Sequence, residues 1–116
     1  MTAHHQEDDS VDRFIIHSQK FWELIKVRKS KAANAETDAG NLIVESWKLQ
    51  GSAEMMLESL LKHDSDTVRF SAASHLLNLS DNPAAVAALR TLVKDPNGLI
   101  SPAARLTLVR KGYSAE

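Results

Sequence analysis

Apolar residues recur along this chain at spacings of three and four, the period of one face of an α-helix. No segment shows the two-residue alternation that is typical of a half-buried strand. The pattern predicts six helices joined by short turns, over about residues 11–31, 35–50, 53–62, 66–80, 83–94 and 102–111. The protein is therefore predicted to be all-α.

Residues at the ends of these segments carry the usual signals of helix boundaries. Gly51 and Gly112 each follow the last periodic position, where glycine accommodates the left-handed backbone of a C-terminal stop. N-caps are predicted at Ser10, Ser52, Asn82 and Ser101, and Pro83 and Pro102 follow the last two at the first helical position.

A second copy of the pattern around the fourth helix follows 31 residues later. The shift superimposes Leu61 on Leu92, Asp64 on Asp95, Val68 on Leu99, Ala72 on Ala103, Ala73 on Ala104 and Leu77 on Leu108. A fixed period of this length is typical of stacked helical repeats. We predict a short right-handed α-solenoid of three helical pairs, in which each pair buries its apolar face against the next.

Composition limits the possible classes of protein. The 116 residues suffice for one domain, and 43% of them are apolar. The absence of cysteine excludes disulfides and thiolate sites. The net charge of -1 gives no general attraction for nucleic acid. We predict an acidic disordered lead-in over 1–9, a helical-repeat domain over 10–112 and a tail over 113–116, in a cytoplasmic protein without a secretion signal.

The fourth helix and the turn before it resemble the HEAT repeat. The matching residues are Asp64, Asp66, Val68, Arg69, Ala72, Ala73, Leu76 and Leu77. The resemblance implies that Val68 and Leu76 pack inward, that the paired alanines allow a close helix–helix approach, and that Arg69 bonds to an aspartate of the turn. In the second copy Ile100 takes the place of the arginine, so that contact is absent there.

The chain as a whole, over about residues 11–111, resembles a small bacterial family of HEAT-like build and unknown function, the DUF2019 family. The matching features are the long first helix, the Ala33-Asn34-Ala35 junction, Lys48-Leu49-Gln50-Gly51 and the stretch from Leu60 to Leu77. Proteins of this build and size are similar to some immunity proteins of bacterial toxin systems. The resemblance supplies no catalytic or binding motif.

Candidate chemistry is sparse. No pair of histidines has the spacing of a zincin helix, and His4-His5 lies in a polar, acidic tail. Asp64-Ser65-Asp66 begins like a calcium loop but lacks the glycine at position 6 and the closing glutamate. No nucleophile elbow or phosphate-binding loop is present. We therefore predict no enzymatic activity, no metal and no cofactor.

Two surfaces exceed what a simple core requires. The first helix carries Ile16, Leu24 and Val27 off its main stripe, which predicts either wrapping by the second helix or a face for a partner or a second copy. In HEAT-type stacks the second helix of each pair lines a concave surface. The predicted partner-binding residues there are Asp38, Asn41, Glu45, Trp47, Ser74, His75 and Asn78. An ordinary solvated face is the alternative.

Trp47 is the preferred anchor of that surface, because the apolar stripe of the second helix is predicted to be Ala39, Leu42, Ile43, Ser46 and Leu49. That stripe puts Trp47 at its border, where an aromatic side chain can carry much of an interface. The competing expectation is that Trp47 belongs to the core.

The favoured function is a non-enzymatic protein-binding module. Its sharpest form is a bacterial immunity protein that neutralises a nuclease-type toxin domain, with the acidic residues of the second helix facing a basic groove. One alternative is a nucleic-acid-binding protein, which rests on the cluster Lys26, Arg28, Lys29 and Lys31. Cations at a helix C-terminus are also favoured by the macrodipole. A structural homodimer through the first helix is the other alternative.

Overall fold

A computed structural model describes residues 2–96 and 98–116, with side chains from residue 9 onward. Within those ranges all regular structure is helical. The helices are α1 (Thr2–Lys26), α2 (Ser30–Gln50), α3 (Ala53–Leu60), α4 (Asp66–Leu79), α5 (Pro83–Val93) and α6 (Ile100–Arg110). The chain divides into two compact units, residues 1–53 and 54–116. In the described part, no helix is both long and apolar enough to cross a bilayer.

The first unit consists of α1 packed on α2. Helix α1 begins at Thr2, so Ser10 lies inside the helix and is not its N-cap. The predicted disordered lead-in covers residues 1–9, of which residues 2–9 belong to α1. Residue 1 and the side chains of residues 2–8 lie outside the described part. The first helix ends at Lys26, five residues before the predicted boundary, and α2 begins at Ser30.

The buried stripe of α2 differs from the predicted one. Ile43, Val44 and Trp47 are buried, whereas Leu42 and Leu49 are 72% and 90% exposed. The prediction placed both leucines in the core, and it was wrong. Apolar residues lie on several sides of this helix, so its own period does not select one stripe. Contact with α1 decides which stripe is buried.

The second unit contains α4 packed on both α5 and α6, and α5 packed on α6. Val68, Ala72, Ala73 and Leu76 of α4 are fully buried, as the HEAT resemblance implies for their inward positions. Both alanines lie in the interior of this small helical unit, where a methyl side chain permits close approach of the neighbouring helix.

Asn82 is the predicted N-cap of α5, and the structure confirms it. Its Oδ1 accepts a hydrogen bond from the Ala85 amide at 3.1 Å, and Pro83 follows at the first helical position. Its Nδ2 donates to Glu58 of α3 at 2.9 Å. This buried side chain therefore caps one helix and ties it to another.

Ser101 was predicted to be the N-cap of α6, and this prediction is wrong. The helix starts one residue earlier, at Ile100, with Leu99 at the cap position and no side-chain cap. The Ser101 hydroxyl instead donates to the Val93 carbonyl in the last turn of α5. The turn before α6 includes Asn97, which lies outside the described residues. At the other end, Gly112 has the expected positive φ of 85° and follows the helix.

The predicted tail at 113–116 folds back on the second unit. The Tyr113 hydroxyl donates to Asp81 at 2.8 Å, and the Arg90 side chain donates to the Ser114 carbonyl at 3.0 Å. Ala115 is buried. These contacts attach the last residues to the turn before α5 and to α5 itself.

Candidate functional site

One side of α2 presents acidic and apolar side chains to solvent. Asp38, Leu42, Glu45 and Leu49 follow one another at spacings of four, three and four, which places them on one face of the helix. All four are exposed. We call them the α2 face. The predicted site residue Asn41 is exposed next to it, and Glu45 forms an ion pair with Lys48 at 3.2 Å.

Trp47, the predicted anchor, is in the core. It is 1% exposed, its ring packs on Phe14 with centroids 5.5 Å apart, and its Nε1 donates to Ser10 at 3.0 Å. The competing expectation therefore describes this residue, and it does not serve as an accessible anchor in this conformation. Trp47 is in the core because the buried stripe of α2 includes Trp47 and excludes Leu42.

A part-buried side-chain hydrogen bond also connects α1 to α2. His17 Nδ1 and Glu36 Oε1 are 2.6 Å apart. Together with the Trp47–Ser10 hydrogen bond, it holds α2 in one rotation about its axis. The same rotation directs Asp38 and Glu45 outward.

The predicted site residues of α4 share one face of the second unit. Asn78 is exposed, and Ser74 and His75 are half-buried. Burial lowers the pKa of His75 below its ordinary value of 6.5. The Ser74 hydroxyl oxygen is buried and has no hydrogen-bond partner among the described residues. This face is therefore less exposed to solvent than the polar stripe that was predicted.

The 31-residue shift identifies a counterpart of this polar face on α6. Ser71, Ser74, His75 and Asn78 of α4 correspond to Pro102, Arg105, Leu106 and Val109 of α6. The latter four and Ser101 line an open depression of about 570 Å³. We call Pro102, Arg105, Leu106 and Val109 the α6 face. The predicted partner-binding residues do not include these four, although the repeat alignment contains the signal that locates them.

The second face of α1 is only partly covered. Ile16 is 48% exposed and Val27 is 61% exposed, whereas Leu24 is half-buried. Ile16 also borders a depression shared with Asp9, Asp12 and Arg13. The predicted alternative of wrapping by α2 therefore does not account for Ile16 or Val27.

The cationic cluster lies at the turn between α1 and α2. Lys26 ends α1, and Arg28 adopts a left-handed backbone with φ of 62°. Lys31 lies in the first turn of α2, where the positive end of the macrodipole disfavours a cation. The dipole explanation therefore applies to Lys26 and not to Lys31. All four cations of the cluster are exposed.

The Arg69 side chain reaches the turn before α4 and bonds to the backbone of that turn. Its guanidinium donates to the carbonyl of His63 at 2.8 Å and to the carbonyl of Asp64 at 3.1 Å. The predicted bond to an aspartate of the turn is thus made to Asp64, and both bonds of Arg69 go to main-chain oxygens. They satisfy carbonyls that have no helical partner in this turn.

Among the residues that the structure describes, no group of three or more His, Asp or Glu side chains is placed to hold a metal ion. Comparison with known proteins adds no relative: no protein-family profile, no curated protein and no solved structure matches the chain significantly.

Proposed function

We propose that this protein is a non-enzymatic protein-binding module and that the α2 face is its binding surface. The observation that carries the proposal is the exposure of Leu42 and Leu49, which alternate with the carboxylates of Asp38 and Glu45 along one face of α2. Apolar side chains at the centre of an interface gain from desolvation, and flanking charges select the partner. Ser74, His75 and Asn78 are further candidate contacts on the second unit.

The proposal includes the fold that suits this role. We propose that the six helices form a right-handed α-solenoid of three HEAT-like pairs, related to the DUF2019 family. The buried Val68, Ala72, Ala73 and Leu76 support it, as does the repeat of the pattern 31 residues later. Solenoids of this kind act mainly by presenting extended surfaces.

The partner we propose is a nuclease-type toxin domain, which makes this chain a cytoplasmic immunity protein. A nuclease binds a polyanion, so its groove carries Lys and Arg side chains. The carboxylates of Asp38 and Glu45 complement such a groove, and Leu42 supplies apolar contact.

Binding can be measured with the product of a neighbouring toxin-like reading frame, purified and titrated calorimetrically. Glu45→Lys is expected to weaken binding at least tenfold, because it places a cation against a basic surface. Glu23→Lys is the matched control: it makes the same charge change at an exposed position of α1, away from the α2 face. Both variants are expected to keep the thermal stability of the wild type.

Equal affinity of Glu45→Lys and wild type would remove the α2 face from the interface. If His75→Ala then weakened binding without loss of stability, the surface would be that of α4. Complete lack of binding by the wild-type protein, together with no protection of cells that express the toxin, would overturn the immunity function.

The second candidate function is nucleic-acid binding through the cationic turn. Its support is the exposure of Lys26, Arg28, Lys29 and Lys31, together with the unfavourable place of Lys31 at the start of α2. Fluorescence anisotropy with a labelled DNA duplex tests it. Binding through this turn would weaken with salt, with a slope of the logarithms near -0.9 for each phosphate contacted. The double variant Lys29→Glu, Lys31→Glu would abolish it.

A further inference from the structure

The α6 face is apolar, concave and edged by cations. Leu106 is 48% exposed and Val109 is 59% exposed, and Pro102 is exposed next to them. Arg105 lines the same depression, and Arg110 follows at the end of the helix. At the corresponding positions α4 carries serine, histidine and asparagine.

The α2 face has the opposite charge. Its two leucines are seven residues apart, as are Pro102 and Val109 on α6, so each pair spans about 10 Å along its helix axis. Asp38 and Glu45 alternate with the leucines on α2, whereas Arg105 and Arg110 accompany the apolar residues of α6. The apolar residues of the two faces thus have the same spacing, and the charges beside them are opposite.

We propose that the α6 face of one copy of this chain binds the α2 face of a second copy. A leucine of α2, 72% or 90% exposed in the single chain, enters the depression beside Leu106 and Val109. Asp38 and Glu45 then lie near Arg105 and Arg110 of the other copy. Removing these leucines from water provides the main gain in free energy, and the charges determine orientation.

This association joins two different surfaces, so it is heterologous. In a pair, the copy that uses its α6 face keeps its α2 face free, and the other copy keeps its α6 face free. Assembly therefore continues head to tail unless the geometry closes a ring. The α2 face spans about three helical turns and the α6 face about two, which places the contact among small, weak interfaces. The association is therefore expected to be reversible and to increase with concentration.

Sedimentation velocity of the purified chain, from about 10 µM to about 1 mM, tests the proposal. The average mass of the wild type is expected to rise with concentration. Leu42→Asp removes the α2 face and Leu106→Asp removes the α6 face, so each variant alone is expected to stay monomeric. An equimolar mixture of the two is expected to form a species of twice the monomer mass and none larger, because each variant still carries one intact face.

Met55→Asp is the matched control, since Met55 is 67% exposed but lies on α3, outside both faces. It is expected to associate like the wild type. Circular dichroism verifies that every variant is folded, and Val109→Asp replaces Leu106→Asp if the latter unfolds.

A wild-type chain that stays monomeric up to about 1 mM would overturn the proposal. So would a mixture of the two variants that stays monomeric. Association abolished by Leu42→Asp and retained in Leu106→Asp would show a symmetric contact between two α2 faces. Association abolished only by Ile16→Asp would place the interface on α1.

The experiment uses one purified protein and does not depend on the proposed toxin partner. If both proposals hold, partner and second copy compete for the α2 face. An excess of Leu42→Asp, which keeps its α6 face, is then expected to reduce the apparent affinity of the wild type for the partner, whereas the double variant Leu42→Asp, Leu106→Asp is not.

Discussion

The two copies of the 31-residue pattern lie in α4 and α6 and differ most at their beginnings. Helix α4 runs from Asp66 to Leu79, and α6 runs from Ile100 to Arg110. After the shift both helices end at the same position, but α6 begins three residues later. Asp64-Ser65-Asp66-Thr67 in the first copy corresponds to Asp95-Pro96-Asn97-Gly98 in the second. Proline and glycine favour a turn there, so the second copy loses its first helical turn.

Burial differs between the copies as well. Helix α4 buries Val68, Ala72, Ala73, Leu76 and Leu77, whereas α6 buries Ile100, Ala104 and Leu108. The buried set of α6 recurs every four residues and forms one narrow stripe, while that of α4 is wider. Position in the unit, and not the repeated pattern alone, sets how much of each helix is covered. This comparison also explains why α6 has an exposed apolar face.

Arg69 and Ile100 occupy equivalent positions in the two copies. Giving each copy the other's residue is expected to produce the largest difference in the free energy of unfolding. Ile100→Arg introduces a charge at a fully buried site, and we expect a loss of about 3 kcal/mol or more in the free energy of unfolding. Arg69→Ile removes two hydrogen bonds to carbonyls at a half-buried site, which costs about 1–2 kcal/mol. Urea denaturation measures both. Equal losses would mean that the two copies have equivalent environments.

The alanine positions give the next largest effect. Ala72 is fully buried, whereas its counterpart Ala103 is half-buried. Ala72→Leu is expected to overpack the interior and to cost about 1–3 kcal/mol. Ala103→Leu is the matched control, and its loss is expected to be within about 0.5 kcal/mol. Similar losses for both variants would contradict the difference in packing between the copies.

The first copy has a titratable side chain, His75, at the position where the second copy has Leu106. Burial lowers the pKa of His75, whereas in the unfolded chain it keeps its ordinary pKa of 6.5. As the pH falls below 6.5, the unfolded state binds this proton first, so the free energy of unfolding decreases until the pH is below the lowered pKa. His75→Gln is expected to reduce this acid-dependent loss between pH 7.5 and pH 5, measured by urea denaturation. An unchanged pH dependence would show that His75 is solvated like an ordinary histidine.

The smallest effect concerns the residues that follow the two helices, Asp81 after α4 and Tyr113 after α6. The hydrogen bond to Asp81 raises the pKa of Tyr113 above its ordinary value of 10.0, with smaller contributions from burial and from the carboxylate charge. The neutral hydroxyl is favoured in the fold, so this stabilisation is present below pH 10 and is lost as the pH rises through the raised pKa. Tyr113 is the only tyrosine, so ultraviolet absorbance follows its ionisation directly.

Asp81→Ala is expected to move that absorbance midpoint down toward pH 10.0. Asp81→Asn keeps an acceptor oxygen but removes the charge, so its midpoint is expected to lie between those of Asp81→Ala and the wild type. A midpoint that does not change in Asp81→Ala would show that the tail is detached in solution.

Sequence alone determined the helical class, the number of helices and most of their C-terminal ends. Gly51 and Gly112 both adopt the positive φ that these stops require, and Asn82 caps α5 as predicted. The buried residues of α4 were also predictable, because its apolar positions form one contiguous set bounded by polar residues. Such features depend on local backbone preferences and on a single helical period.

The tertiary structure decided which side of α2 is buried, how Ser101 is used and where the last four residues lie. Leu42, Ile43, Val44, Trp47 and Leu49 surround much of α2, so the choice among them depends on what α1 offers: a ring at Phe14, a hydroxyl at Ser10 and His17 for Glu36. Ser101 lies inside α6 and donates to the Val93 carbonyl of α5. Each of these outcomes is a competition between partners distant in the sequence. On α2 it leaves the tryptophan in the core and the two leucines on nearly the opposite side of the helix, in solvent.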